Sequence, residues 1–260
     1  MGSPVNEKDR DEDEKQHYVR VSRFKLMVHE VTRGQFKYFI NATGYRTDAE
    51  INSGDRKGCY VDKTGQGNFA YAADYSWRHP GFSQNDTHPV VCISWRDASK
   101  YAKWLSLKTG KKFHLPTEAQ WEYAAKGGST TSFYWGNDPQ YHQLCHYANA
   151  SDQTARKKYP QWSKKNCNDG RVYTSPKKHY KPNPKGLYDI SGNVWEWTCS
   201  TYNSAYNGSE KHCAQGVNGE RVLRGGSWFS GLWGMRSAYR FRNSVYERKF
   251  DTGFRLAQKF

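Results

Sequence analysis

The spacing of apolar and polar residues predicts a strand and then a helix at the start of the folded part of the chain. Residues 18–26 alternate apolar with polar side chains, which is typical of a half-buried β-strand. Residues 31–40 then carry Phe and Ile at helical spacing. We expect Thr32 to cap the N-terminus of this helix and Gly44 to end it, because Gly readily adopts the left-handed conformation found there.

Two further helices are predicted downstream by the same kind of pattern. The stretch 94–105 places Ala, Tyr and Leu on one stripe, and Gly110 stops it. The stretch 116–125 begins with a candidate capping box, in which Thr117 and Gln120 would each bond the other's backbone N–H. We therefore expect three helices in the first half of the chain.

The remaining segments show little periodicity. Residues 45–90 are predicted to be a long ordered loop, and residues 127–186 are rich in Gly, Asn, Lys and Pro. Short strand-like runs follow at 193–199, 221–223 and 253–256. An ordered chain with so few regular elements needs cross-links, and disulfides and metal ions are the candidates.

Composition indicates one folded domain with an aromatic core. Aromatic residues make up 16% of the chain, which is too many for disorder although the hydrophobic fraction is only 36%. Residues 1–16 are charged and aperiodic, so we expect a disordered tail or linker there, followed by a single domain over 17–260. No apolar run is long enough to span a bilayer, and the start is not signal-like. We expect that an export signal or membrane anchor has been removed.

The cysteine pattern favours disulfides. Six cysteines without a C-x-x-C pair disfavour zinc and thioredoxin-type sites, and they allow 15 pairings. Cys145 with Cys167 and Cys199 with Cys213 would close short loops, which leaves Cys59 for Cys92. Three bridges would imply an extracytoplasmic protein, at the cell surface, in the periplasm or secreted. The alternative is six buried free thiols in a cytosolic protein.

The charge balance is strongly basic, with a net charge of +15. Much of it lies in three short runs: residues 156–158, Lys164-Lys165 and residues 177–181. Such runs attract nucleic acid, anionic membranes or acidic glycans. We expect a solvated basic face instead, and not a nucleic-acid partner, because no nucleic-acid-binding motif accompanies the charge.

Seven short blocks, in order along residues 18–258, resemble the sulfatase-modifying-factor family, whose best-known member is the formylglycine-generating enzyme. They are Phe24 with Glu30-Val31-Thr32, His88-Pro89-Val90-Val91, Leu115-Pro116-Thr117-Glu118, Gly186-Leu187-Tyr188-Asp189, Gly192-Asn193-Val194-Trp195-Glu196-Trp197-Thr198, Arg224-Gly225-Gly226-Ser227-Trp228 and Gly253-Phe254-Arg255. The resemblance implies an α+β, C-type-lectin-like fold of low regular secondary structure. It also implies a small twisted antiparallel sheet with two or three helices.

The resemblance further implies one or two structural calcium ions. In the first site the ligands would be the side chains of Asn149 and Asp169 and the carbonyls of Ala150 and Arg171. In the second, carboxylates alternate with carbonyls, a hard-oxygen set that suits calcium. Its ligands would be Asp189, Gly192, Val194 and Glu196. For Glu196 the alternative is a buried acid paired with an Arg.

The family's catalytic residues are not matched. The formylglycine-generating enzyme holds copper with two cysteines after Gly-Gly-Ser, and alignment of both ends of that segment puts Ser230 and Ala238 at those positions. Serine and alanine are not thiolate ligands for a soft metal, so we expect no copper. Some relatives are iron-dependent oxidases with a His-rich helix, and the histidines here are scattered, so we expect no iron either.

The segment 221–258 is therefore a candidate for ligand binding. It resembles the variable region of retroelement-diversified proteins, and aromatic and Arg side chains dominate binding hot spots. We expect a non-catalytic display protein that presents residues of 228–250 to a protein or glycan ligand. The alternatives are a metal-dependent oxidoreductase of the same family and a sensor or accessory domain of a membrane-tethered protein. The candidate ligand-binding residues are Trp228, Phe229, Ser230, Leu232, Trp233, Met235, Ser237, Tyr239, Phe241, Tyr246, Glu247 and Phe250.

Overall fold

The computed structural model describes residues 1–53, 56–162 and 167–260. The Lys164-Lys165 pair of the basic runs lies outside these ranges. The helices are α1 (Arg33–Thr43), α2 (Trp95–Thr109), α3 (Glu118–Lys126), α4 (Leu144–Tyr147) and α5 (Gln153–Lys158). The strands are β1 (Phe24–Leu26), β2 (Cys59–Asp62), β3 (Phe69–Ala72), β4 (Phe113–His114), β5 (Trp195–Thr201), β6 (Glu220–Arg224), β7 (Phe241–Ser244), β8 (Thr252–Gly253) and β9 (Ala257–Lys259). Short 3-10 turns lie at Ser209–Lys211 and Leu232–Met235.

Three small sheets organise these strands. The largest has the order β7-β6-β5-β8, in which β5 pairs antiparallel with β6 but parallel with β8. The predicted small antiparallel sheet is formed by β5, β6 and β7, and the short strand β8 adds a parallel pair to it. A second sheet, β1-β9-β4, brings the C-terminus beside the first strand, and β2 and β3 form a separate hairpin. None of the helices in the described ranges is long and apolar enough to cross a membrane.

The three predicted helices are confirmed together with their caps. Thr32 and Thr117 each form a capping box, with Gln35 and Gln120 respectively. Gly44 ends α1 in the left-handed conformation, with φ of 65°. These signals are local, so the sequence alone was enough to place them.

Elements held by distant contacts differ from the sequence prediction. The predicted loop 45–90 contains the β2–β3 hairpin, and α4 and α5 lie in the segment predicted to lack helices. The strand predicted over 18–26 is limited to β1, because only those residues find a partner, in β9. Of the last predicted strand, 253–256, only Gly253 lies in a strand, β8, and residues 254–256 connect β8 to β9.

All six cysteines are in disulfides, and the pairs are those expected. Cys59 is bonded to Cys92, Cys145 to Cys167, and Cys199 to Cys213. Such bridges are typical of proteins that fold in an oxidising compartment, outside the cytoplasm or in the endoplasmic reticulum. Each bridge joins a cysteine of a helix or strand to a cysteine in a loop.

The main core is aromatic, as composition predicted. Phe36 is fully buried and contacts Trp77, Tyr101 and Phe254 at ring-centroid distances of 5.4 to 6.4 Å. Trp197 on β5 is also fully buried, and its indole N–H donates to the carbonyl of Ile93 at 3.0 Å. Trp197 thus buries a large apolar area while its polar atom keeps a partner.

The N-terminal arm, residues 1–17, packs against the domain, whereas the sequence predicted a disordered tail over residues 1–16. Glu14 is fully buried and binds the buried guanidinium of Arg236, which also binds Glu7 at 2.7 Å. The backbone N–H of Gly2 donates to Glu122 at 2.8 Å. The charges that suggested disorder are neutralised by arginines more than 200 residues away, a pairing that no local pattern reveals.

Replacement of Glu14 by Gln should therefore destabilise the protein. The variant leaves Arg236 buried with a single remaining acid, so we expect the free energy of unfolding to fall by about 3 kcal/mol. The measurement is urea unfolding followed by tryptophan fluorescence. Glu12→Gln is the matched control, because Glu12 is exposed on the same arm and should change stability by less than about 0.5 kcal/mol. Equal urea midpoints for the two variants would contradict the docked arm.

Candidate functional site

Most residues of the predicted ligand-binding segment lie inside the protein. Only Trp233 and Tyr246 of the predicted set are well exposed, at 47% and 38%. Phe229, Tyr239 and Phe241 are half-buried. The buried members are Trp228, Ser230, Leu232, Met235, Ser237, Glu247 and Phe250. Most of these side chains thus belong to the protein core, and fewer of them are exposed to a ligand than the sequence predicted.

The arginines of this segment are mainly buried and paired. Before β7, the segment forms a 3-10 turn at Leu232–Met235 and then an irregular stretch. Arg240 is bound to Glu118 by two hydrogen bonds of 2.6 and 3.0 Å, and Arg224 is bound to Glu122. The bidentate Arg240–Glu118 pair and the Arg224–Glu122 pair hold this segment against helix α3.

A cavity of about 220 Å³ opens beside Ser230. Its walls are aromatic, and five of the twelve predicted residues line it. The lining residues are Tyr60, Trp195, Phe229, Ser230, Gly231, Trp233, Phe241, Lys249, Phe250 and Asp251. A larger cleft of about 470 Å³ lies between the N-terminal arm and the loop around Phe133, and Trp233 borders both.

Polar groups are concentrated at one end of the smaller cavity. Ser230 Oγ lies 3.0 Å from Ser227 Oγ, which donates to Asp251 Oδ2 at 2.8 Å. Burial raises the pKa of Asp251 above its ordinary value, although the charge of neighbouring Lys249 lowers it. Asp251, Lys249 and Tyr60 were not among the predicted site residues, although Lys249 and Asp251 lie within the candidate segment 221–258, and Tyr60 lies in the predicted loop 45–90. The cavity therefore combines aromatic walls with a hydroxyl, a carboxyl and an ammonium group.

The copper chemistry of the formylglycine-generating enzyme does not fit these residues. Ser230 lines the cavity, and Ala238 is buried with its carbonyl bonded to Arg224 at 2.7 Å. All six cysteines of the chain are in disulfides, so none offers a thiolate. No step of that reaction can be assigned to the side chains present.

Comparison with known proteins decides the family. The sulfatase-modifying factor enzyme 1-like domain matches residues 1–260. The chain belongs to that family. The formylglycine-generating enzyme of Streptomyces coelicolor is 34% identical to it over 266 residues, which cover 93% of this chain and 80% of the relative.

Solved structures of similar proteins agree with membership of the sulfatase-modifying factor enzyme 1-like family. PvdO from Pseudomonas aeruginosa superposes with a TM-score of 0.79 at 28% identity, over 100% of this chain and 90% of that one. Treponema denticola variable protein 1 superposes with a TM-score of 0.68 at 23% identity, over 100% and 92%. The second likeness shows the fold alone. The α+β architecture implied by the sequence blocks is confirmed.

In the second predicted calcium set, the negative charge of Glu196 is balanced by an arginine, whereas a carboxylate oxygen of Asp189 lacks a partner in the part of the chain that the structure describes. Both carboxylate oxygens of Glu196 accept hydrogen bonds from Arg255 at 2.7 to 2.9 Å, so the alternative of a buried acid paired with Arg is what the structure shows. Asp189 Oδ1 is buried and has no hydrogen-bond partner among the described residues. Glu30, which the sequence did not single out as a ligand, has an equally unpartnered buried Oε2, and its pKa is raised by burial and then by Asp189.

This excess of buried negative charge fits a cation near Asp189. Three acids, Glu30, Asp189 and Glu196, influence one another electrostatically around the single Arg255. Gly192 is required beside them, because a Cβ there would lie 2.2 Å from the carbonyl oxygen of Asn149. Calcium held by Asp189 and the carbonyls of Gly192 and Val194 stays a prediction, and its chemistry would be to neutralise this cluster.

A chain of hydrogen bonds links Asn149 and Asp169, the two side-chain ligands of the first predicted calcium set. Asn149 Nδ2 donates to Ser175 Oγ at 3.1 Å, Ser175 contacts Tyr180 OH at 2.8 Å, and Tyr180 donates to Asp169 at 2.7 Å. Asn149 Oδ1 is buried without a partner in the described ranges. Burial, with a contribution from Asp152, raises the pKa of Asp169 to about 7. The side-chain oxygens suit a hard cation, and Ala150 and Arg171 would supply carbonyls.

Calcium should stabilise the protein, and the effect should depend on pH. Because Asp169 has a raised pKa, it holds a proton at acidic pH that a cation must displace. After chelation, calcium at about one hundred times its Kd should raise the Tm by about 5 °C at pH 8 and by much less at about pH 5.5. Differential scanning calorimetry measures both.

Asp169→Asn should remove the pH dependence of this gain, whereas Asp74→Asn, at an exposed position, should keep it. An equal Tm gain at both pH values, or none at either, would count against a calcium site at Asp169.

Proposed function

We propose that the chain is a ligand-binding protein that uses the cavity beside Ser230, and that it does not carry out the thiolate–copper reaction of its catalytic relatives. The observation that carries this proposal is the aromatic-walled cavity beside Ser230, the residue that the sequence comparison aligns with the first copper-binding cysteine of catalytic relatives. The apolar surface of its walls is accessible to a ligand. Ser230 offers a hydroxyl where a metal-binding thiol would be expected in a catalytic relative.

The scaffold supports binding because it holds the cavity in one shape. Trp195 is fixed by its backbone N–H, which donates to the carbonyl of Asp251 at 2.8 Å. Phe250 contacts Trp228 and Phe229 at ring distances of 5.0 and 5.3 Å. A preformed site loses little conformational entropy when a ligand enters. This rigidity also lets exposed side chains change without loss of the fold, as a display protein requires.

The ligand is expected to carry a flat or apolar group with a polar edge, as a sugar ring or an aromatic side chain does. Trp233 and Phe241 offer ring faces, and Lys249 and Asp251 offer hydrogen bonds and charge. We therefore propose that the partner is a protein or a glycan at a surface. The positions open to such a partner are Phe229, Trp233, Tyr239, Phe241 and Tyr246.

Location at the cell surface is part of this proposal. Three disulfides support an oxidising compartment, and the docked arm leaves Trp233 exposed beside the cavity entrance. A retroelement-diversified variable protein would use the exposed positions of the segment, which are Trp233 at the cavity and Tyr246, rather than the buried ones.

Replacement of Trp233 by Ala should weaken ligand binding by about tenfold or more, which is the loss typical of an aromatic hot spot. Stability should change little, because 47% of this side chain is exposed. The measurement is binding of labelled protein to a glycan array and to a displayed peptide library, with the Tm as the fold control. Tyr18→Ala is the matched variant, since Tyr18 is 92% exposed and lies away from the cavity.

We therefore expect Trp233→Ala to bind ligand more weakly than Tyr18→Ala does. If Trp233→Ala and Tyr18→Ala bind every ligand as well as the unchanged protein, the cavity is not the binding site.

One observation favours a second function, an oxidoreductase of the same family. Asp251 has a raised pKa and faces the cavity, which suits a group that takes a proton from a substrate. Oxygen consumption with candidate substrates, compared between the unchanged protein and Asp251→Asn, distinguishes this function from binding alone. Uptake that depends on Asp251 would support oxidation, and binding without uptake would support the first proposal.

A further inference from the structure

A groove of about 420 Å³, separate from the cavity, is lined by both cysteines of the Cys199–Cys213 disulfide. Its walls include Trp95, Ala102 and Phe113, which are apolar, and Lys103 and Lys112, which are exposed cations. Cys213 is half-buried, and Cys199 is 5% exposed. A thiol that enters the groove therefore reaches Cys213 more easily than its partner.

His114 stands next to this disulfide. A ring nitrogen of His114 and the two sulfur atoms lie within 4.8 Å of one another. The ring is oriented by Nδ1, which lies 2.7 Å from the carbonyl oxygen of Leu115 and must donate a proton to it. This bond leaves Nε2 as a base, and Nε2 is buried with no partner among the described residues.

The electrostatic surroundings favour a thiolate at this disulfide. The described residues that line the groove include two lysines and no carboxylate, and Lys259 also lies close enough to act on His114. Positive charge and a neighbouring imidazole are the features that make cysteines reactive. A purely structural cross-link needs neither an open groove nor a free base.

We propose that Cys199–Cys213 is a thiol–disulfide exchange site in which His114 carries the proton. A thiol of an external dithiol gives its proton to His114 Nε2, and its sulfur attacks Cys213. The Cys199–Cys213 bond breaks, Cys199 leaves as a thiolate and takes the proton from His114. The second thiol of the dithiol then attacks the mixed disulfide and releases Cys213 as a thiol. The dithiol is oxidised to a disulfide, and the protein is reduced by two electrons and two protons.

A second disulfide of the same protein serves as the control for the reactivity of Cys199–Cys213. The Cys145–Cys167 disulfide has both residues half-buried, so it is at least as accessible. However, Cys145 Sγ lies 3.8 Å from Asp152 Oδ2, and a carboxylate disfavours a thiolate. Accessibility alone predicts that Cys145–Cys167 is reduced first, whereas the proposed site predicts the reverse order.

The test is reduction of the full chain by dithiothreitol at pH 7 without denaturant. Samples are quenched with N-ethylmaleimide, and each disulfide is quantified by mass spectrometry. We expect Cys199–Cys213 to open about tenfold faster than Cys145–Cys167. Slower or equal opening of Cys199–Cys213 would overturn the proposal, and this comparison needs no variant.

A His114→Asn variant tests the proton carrier. Asn can keep the hydrogen bond to Leu115 but lacks a base at the position of Nε2. We expect it to slow the opening of Cys199–Cys213 by about tenfold and to leave both the rate for Cys145–Cys167 and the Tm unchanged. An unchanged rate at Cys199–Cys213 in the folded variant would refute the role of His114.

Discussion

The ion pair between Arg255 and Glu196 is the interaction on which the rest of the structure depends. Both side chains are buried, and Arg255 binds Glu196 while also donating to the carbonyl oxygens of Met27 and Tyr188. Trp121 adds a hydrogen bond of 2.8 Å to the same carboxylate. The pair therefore joins helix α3, strand β5, the C-terminal strands and two loops. A buried charge without its partner is costly, so these segments must keep their register.

The same strand positions the candidate site. Successive side chains of a strand point to opposite faces, so Glu196 faces Arg255 while its neighbour Trp195 faces the cavity. The backbone of Trp195 is in turn tied to Asp251. The buried ion pair thus holds one wall of the cavity as well as the centre of the fold. This arrangement explains how the family's fold can persist with Ser230 and Ala238 at the positions where the sequence comparison predicts metal-binding cysteines in catalytic relatives.

The sequence predicted what local chemistry determines. The three capped helices, the aromatic core and the disulfide pairs were anticipated, because caps, apolar stripes and loop closure are visible in short segments. The N-terminal arm was missed, because Glu14 finds Arg236 across 222 residues. The candidate site was only partly anticipated: Ser230 and Trp233 line the cavity, but most of the predicted residues are core, and Asp251 gave no local signal.

The most direct test of the account is fluorine NMR of protein labelled with 5-fluorotryptophan, titrated with a glycan or peptide that it binds. Trp195 and Trp233 line the cavity, whereas Trp77 and Trp104 lie in or against the main core. Binding in the cavity predicts that the resonances of Trp195 and Trp233 shift and that those of Trp77 and Trp104 stay in place. Saturable binding that leaves Trp195 and Trp233 unshifted would contradict the cavity beside Ser230 as the ligand site.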